Sequence, residues 1–127
     1  MTAFVRRFAA LEPYSPPHHS GTTNRRILGP NDGAGDVLVV RGTLEPGGGA
    51  DPHYHEHCDQ LIFVIAGRCR VRVGEIDEVL GRDDTVFLPR EVPHVVEVVG
   101  DERLELLITY TPALRPGDTH PVEGRRH

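Results

Sequence analysis

Residues 36–112 form a succession of short runs rich in Val, Ile, Leu and Thr, each closed by Gly, Pro or acidic residues. The runs at 37–44, 60–66, 68–73, 78–80, 85–88, 95–99 and 103–110 have the length and β-branched content of strands. At 68–73 the alternation is regular: Cys69, Val71 and Val73 take one side, and Arg68, Arg70 and Arg72 the other, as in a half-buried strand. No helical period interrupts them, and 14 Gly and 11 Pro in 127 residues leave little room for long helices. Short strands at regular spacing with turns between them point to an antiparallel sandwich or barrel.

On either side of these runs the signal fades. Residues 1–35 read as an N-terminal arm and loop. Phe4, Phe8 and Leu11 are at a weak helical spacing, and a short strand is expected only near 25–28. His18 and His19 fall on this arm and are expected to be solvated. Residues 113–127 have no period and are expected to lie loosely on the surface. The division is thus an arm (1–35), a barrel (36–112) and a tail (113–127), within the size of one domain.

The chain carries 14 basic residues, all Arg, against 19 acidic ones, a net charge of −5. This gives no basic footprint for nucleic acid. No apolar run is long enough to span a membrane. Two cysteines, Cys58 and Cys69, and an N-terminus without a signal-peptide pattern make free thiols and the cytoplasm the expectation.

The stretch from Gly47 to Gly67 carries the chemistry. His53 and His55 are separated by one residue, so on a strand both rings point to one side. His94 stands far downstream behind the turn PREVPH. Neutral imidazoles are common ligands for divalent ions, and a third histidine would leave open coordination positions, as a catalytic site requires. From the pair alone the other reading, two exposed polar residues on a strand edge, stays open.

The spacing decides through resemblance. The chain is similar to the cupin superfamily, whose first motif is Gly, five residues, His-x-His, three or four residues, usually Glu, six residues, Gly. Gly47, His53, His55 and Gly67 fall in register, with Gln60 in the Glu position. Of the second motif, Pro89 and His94 match, whereas Asp83 and Glu91 stand where the family has Gly, and Val98 where it has Asn. The resemblance implies an all-β fold, a jelly-roll barrel (the cupin double-stranded β-helix). It implies one divalent metal ion (Zn, Ni, Mn or Fe) held by His53, His55, Gln60 and His94, a homodimer and a small-molecule substrate.

Gln in place of Glu would leave the donor set neutral and the cation's charge undiminished, favouring an anionic, bidentate oxygen ligand. Asp59 fits the shorter form of the motif gap and competes with Gln60 as fourth ligand. His57 continues the alternation of His53 and His55 and is the candidate catalytic base. Cys58 reads as a small buried wall residue, Tyr54 and Glu56 as supporting contacts, and Tyr110 as a pocket or core residue. Some small cupins with three His and a Gln act on unsaturated uronates. Thr109 falls near where these carry an acid, and Arg115 near a substrate-binding Arg. The functions implied are metal-assisted enolisation, isomerisation or lyase chemistry on an oxygen-rich acid or sugar derivative, an iron-dependent dioxygenase, or a non-catalytic small-molecule-binding module.

Overall fold

The longest strand crosses from one side of the barrel to the other. In the computed structural model, which describes residues 4–122, strand β3 runs from Leu38 to Ala50. Its first part lies between β2 (His19–Leu28) and β10 (Leu104–Thr111). Its far end pairs Gly49 with Glu97 of β9 (His94–Val98). From the sequence a strand ending at residue 44 and a turn over the glycines are expected. Instead the glycines carry the strand through a narrow gap. A Cβ on Gly48 would meet the carbonyl oxygens of Glu45 and Ser20 at 2.9 Å, and one on Gly49 that of Val96 at 2.9 Å. Bare backbone is what lets three strands approach here.

The remaining strands form two arms of one eleven-stranded sheet that β3 joins. One continues from β10 to β5 (Asp59–Ala66) and β8 (Thr85–Leu88), with β1 (Pro13–Tyr14) beside β2. The other joins β7 (Ile76–Leu80), β6 (Cys69–Val73), β9, β4 (His53–Tyr54) and β11 (His120–Pro121). This is the all-β barrel expected. Val40, Leu44, Ile62, Val64, Val71, Leu88, Leu104 and Leu106 fill it from alternate strand positions. Cys58 and Cys69 are free and sit in the same core, where burial pushes both thiols up to about 11.

The arm is more ordered than its composition suggests. Residues 19–28 form a full strand, not only the piece near 25–28. The helical spacing of Phe4, Phe8 and Leu11 yields only a 3-10 turn, Phe8–Ala10. Phe8 is held by its ring and backbone: Arg25 and Arg41 stand 4.5 and 5.3 Å from the ring centre, and Arg25 donates to the Phe8 carbonyl at 2.9 Å. Asp83 and Glu91, at two Gly positions of the resembled motif, adopt φ of 73° and 71°. They hold the turns those glycines would make, at a cost of roughly 1–2 kcal/mol each.

The tail does not lie loosely. Ala113 and Asp118 are buried, and His120–Pro121 pairs with His53 and Tyr54. Residues 123–127 lie outside those described. Among the described residues no helix is long and apolar enough to cross a membrane.

Candidate metal centre

Each of the three histidines is aimed by a backbone carbonyl. Nδ1 of His53 donates to Asp51 O at 2.8 Å, that of His55 to Asp118 O at 2.9 Å, and that of His94 to Val92 O at 3.3 Å. A carbonyl only accepts, so each Nδ1 carries the proton and each Nε2 keeps its lone pair. The rings converge: their centres lie 4.6–5.3 Å apart. One nitrogen from each lies within 4.8 Å of the others. The register explains the convergence, because β4 and β9 pair His53 directly with His94.

Gln60 enters from β5, opposite Leu88 and Tyr110. It lies near enough to His55 to affect that ring's basicity. Nε2 of His55, Nε2 of His94 and Oε1 of Gln60 are all buried without a partner. A buried unpaired acceptor costs about 1–3 kcal/mol. Three of them together is an arrangement that one divalent cation would satisfy at once, so these residues fit the ion that the donor set implies.

The other candidates are placed apart. The buried alternation of His53 and His55 stops there, because the chain bends at Glu56–His57 and resumes inward only at Cys58. His57, 73 % exposed, therefore turns toward Glu56 instead of continuing the ligand face. Asp59 is taken up by Arg90, which binds it through its backbone N–H and its guanidinium. This leaves Gln60, not Asp59, facing the histidines. Arg115 pairs with Asp36 on the outside, and Thr109 is on the outward side of β10. Tyr110 faces inward, its ring edge-on to His55 at 5.8 Å.

Two elements were missed by the sequence reading. The first is the tail. The Asp118 carboxylate accepts the backbone N–H groups of Glu56 (2.9 Å) and His57 (3.0 Å), while its carbonyl holds His55. An isolated Asp after a Pro-Gly turn offers no periodic signal for such a role. The second is His19, expected to be solvated. It lines the cavity with its ring 6.1 Å from His53. The pairing is irregular at Gly21 (φ +58°), and the inward alternation of Asn24 and Thr22 breaks there, so that His19 and not Ser20 is the half-buried residue beyond it. The rest of the cavity wall is largely apolar: Leu44, Ile62, Val96, Leu106 and Ile108.

Burial holds all of these rings neutral. It lowers His53 and His55 below the ordinary 6.5. With help from neighbouring imidazoles it takes His19 to about 4 and His94 to about 3. The unfolded chain takes up these protons near 6.5 and the folded chain only well below, so stability is full above 6.5 and falls as pH drops. Each ring contributes at most about 1.4 kcal/mol per pH unit over that window. Thermal melting of the metal-free protein is therefore expected to fall steeply between about pH 6.5 and pH 5. The slope is expected to be shallower in His94→Gln, and an equal slope would show that His94 does not contribute.

A family model described as "Cupin domain" matches residues 33–110. The tetracenomycin polyketide synthase protein TcmJ of Streptomyces glaucescens is 31 % identical over 119 residues, covering 89 % of this chain and 80 % of that protein. Protein SchB of Streptomyces halstedii is 26 % identical over 94 % of this chain and 88 % of its own length. Among solved structures, the polyketide cyclase RemF of Streptomyces resistomycificus superposes with a TM-score of 0.80 at 25 % identity, covering 99 % of this chain and 89 % of that one. The nucleoside dehydratase Pac13 of Streptomyces shares the fold at a TM-score of 0.75 and 17 % identity, over 95 % and 92 % of the two chains.

Proposed function

The chain belongs to the cupin family, and from that premise we propose that it is a metal-dependent enzyme that enolises a small, carbonyl-rich substrate of the polyketone class. The observation that carries this reading is the set of three carbonyl-anchored imidazoles whose free nitrogens converge beside an apolar cavity. The polyketide names of TcmJ and RemF support the substrate class.

His53, His55, Gln60 and His94 would hold the cation (Zn, Ni, Mn or Fe), which when bound supplies Lewis acidity toward a carbonyl oxygen. The donor set is neutral, so the charge felt by the substrate is undiminished. The apolar wall keeps water from competing and strengthens electrostatic contacts inside. His19 is the proton acceptor of this reading. Its Nδ1 lies 3.4 Å from Thr22 Oγ1, and that hydroxyl gives its own proton to Ser20 O at 3.0 Å. Nδ1 must then be the donor, which leaves Nε2 free. The C–H pair next to the carbonyl becomes the enolate double bond as Nε2 takes the proton. His57, the base expected from the sequence, is on the surface.

Solvent deuterium wash-in at the methyl group of pyruvate, followed by NMR, tests the reading. Metal-loaded protein is expected to accelerate it without oxygen, metal-free protein is not, and His19→Ala is expected to lose about 100-fold, in the usual range for a general base. No acceleration would overturn it, and a requirement for oxygen would favour the dioxygenase. The proposed assembly is a homodimer through the outer face of β5 and β8, where Leu61, Phe63 and Phe87 are exposed together. Sedimentation velocity is expected to show a wild-type dimer and a monomeric Phe63→Glu variant.

A further inference from the structure

β2 contains a residue that suits neither a strand nor a core. Asn24 is 6 % exposed and lines the cavity, and its Oδ1 has no hydrogen-bond partner among the described residues. Asn is disfavoured in strand interiors, and a buried unpaired amide oxygen destabilises further. Its cross-strand partner is equally poor for a strand: Gly42 on β3 lies directly opposite. No positive φ requires glycine at that position. What requires it is space, because a Cβ there would approach Asn24 Oδ1 to 3.1 Å and Ile108 Cδ1 to 3.3 Å. Two neighbouring residues thus forgo stability so that one amide can sit in the cavity wall.

We propose that Asn24 is a specificity-determining contact that hydrogen-bonds a hydroxyl group on the substrate, at a pole of the cavity distinct from the histidines. A hydroxyl both donates and accepts, which matches an amide with a carbonyl and an NH₂ end. Thr22 and His19, on the same strand and in the same cavity, extend the polar stripe toward the His53 ring. The substrate class narrows accordingly to a polyketone, or the phenol ring formed from one, that carries a hydroxyl away from its chelating oxygens. A site shaped to pair a hydroxyl discriminates strongly against the analogue lacking it, because its own polar group is then left unpaired.

The proposal rests on the chelation reading above, and the test separates the two. Binding of benzoylacetone and of its meta- and para-hydroxyl derivatives to zinc-loaded protein is measured by calorimetry. In neither derivative can the added hydroxyl join the dicarbonyl in holding the metal. Benzoylacetone, which offers the amide no hydroxyl, is expected to bind Asn24→Leu at least as tightly as wild type. At least one hydroxyl derivative is expected to bind wild type about tenfold tighter than the parent, a gain equivalent to one hydrogen bond. That gain is expected to vanish in Asn24→Leu. Asn24→Ala, smaller than the native residue, gives the same comparison if leucine does not fit. If neither derivative gains over the parent, or the gain survives both variants, Asn24 is not the contact and the chelation reading stands. If no probe binds the zinc-loaded protein, both fall.

Discussion

His94→Ala is expected to lower zinc affinity by more than about 100-fold, with little effect on folding of the metal-free protein. Replacing only the outer partner of a ligating ring typically costs 10–100-fold, and here the ring itself goes. Its Nε2 is buried and unpaired, so removing it also removes an unsatisfied group, which offsets part of the lost packing against His53. Competition with a chromophoric chelator measures the affinity, and thermal melting without metal measures the fold. Zinc binding as tight as wild type would mean that the three rings converge without forming a site, and the function proposed above would lose its basis.

Asp118→Ala is expected to destabilise the metal-free protein by about 2–4 kcal/mol in urea unfolding, as two charge-assisted hydrogen bonds disappear and two backbone N–H groups lose their partner. It is also expected to weaken zinc binding 10–100-fold, because the segment that carries the His55 carbonyl partner is no longer fixed. Asn at this position keeps one acceptor oxygen and is expected to fall between. Burial raises the Asp118 carboxyl, but the N–H groups of Glu56 and His57, with His120, outweigh it and hold it below the usual 3.8. The stabilisation is thus complete above 3.8 and is lost as pH falls through the lower folded value. If Asp118→Ala unfolds and titrates zinc like wild type, residues 113–122 are only passively attached.

The barrel and the meeting of three histidines in it could be read in advance, for a physical reason. The alternation of Cys69, Val71 and Val73 against Arg68, Arg70 and Arg72 reports which side is dry, and β6 buries Cys69 and Val71 as that pattern requires. The convergence of His53, His55 and His94 was legible because one intervening residue puts the first two on one side of a strand, and the resembled motif supplied the third. His57 misled because periodicity says nothing about where a two-residue strand stops, and β4 ends at Tyr54. His19 was hidden by an irregularity in the strand pairing at Gly21, which breaks the alternation without a compositional mark beyond a single Gly in that strand. The closing role of Asp118 was invisible for a different reason. It comes from one carbonyl and one carboxylate in a segment without period, and backbone acceptors leave no trace in side-chain identity.

The hydrogen bond that aims His55 joins residues 63 positions apart. On a ribosome, which delivers a chain from its N-terminal end, all three imidazoles are made before, and emerge ahead of, the residue that fixes the second of them. A nascent chain therefore passes through an interval in which it can display three free nitrogens without holding them in place, when a cation could be captured in the wrong geometry. Completion of the site is timed by the emergence of Asp118, not by that of the histidines.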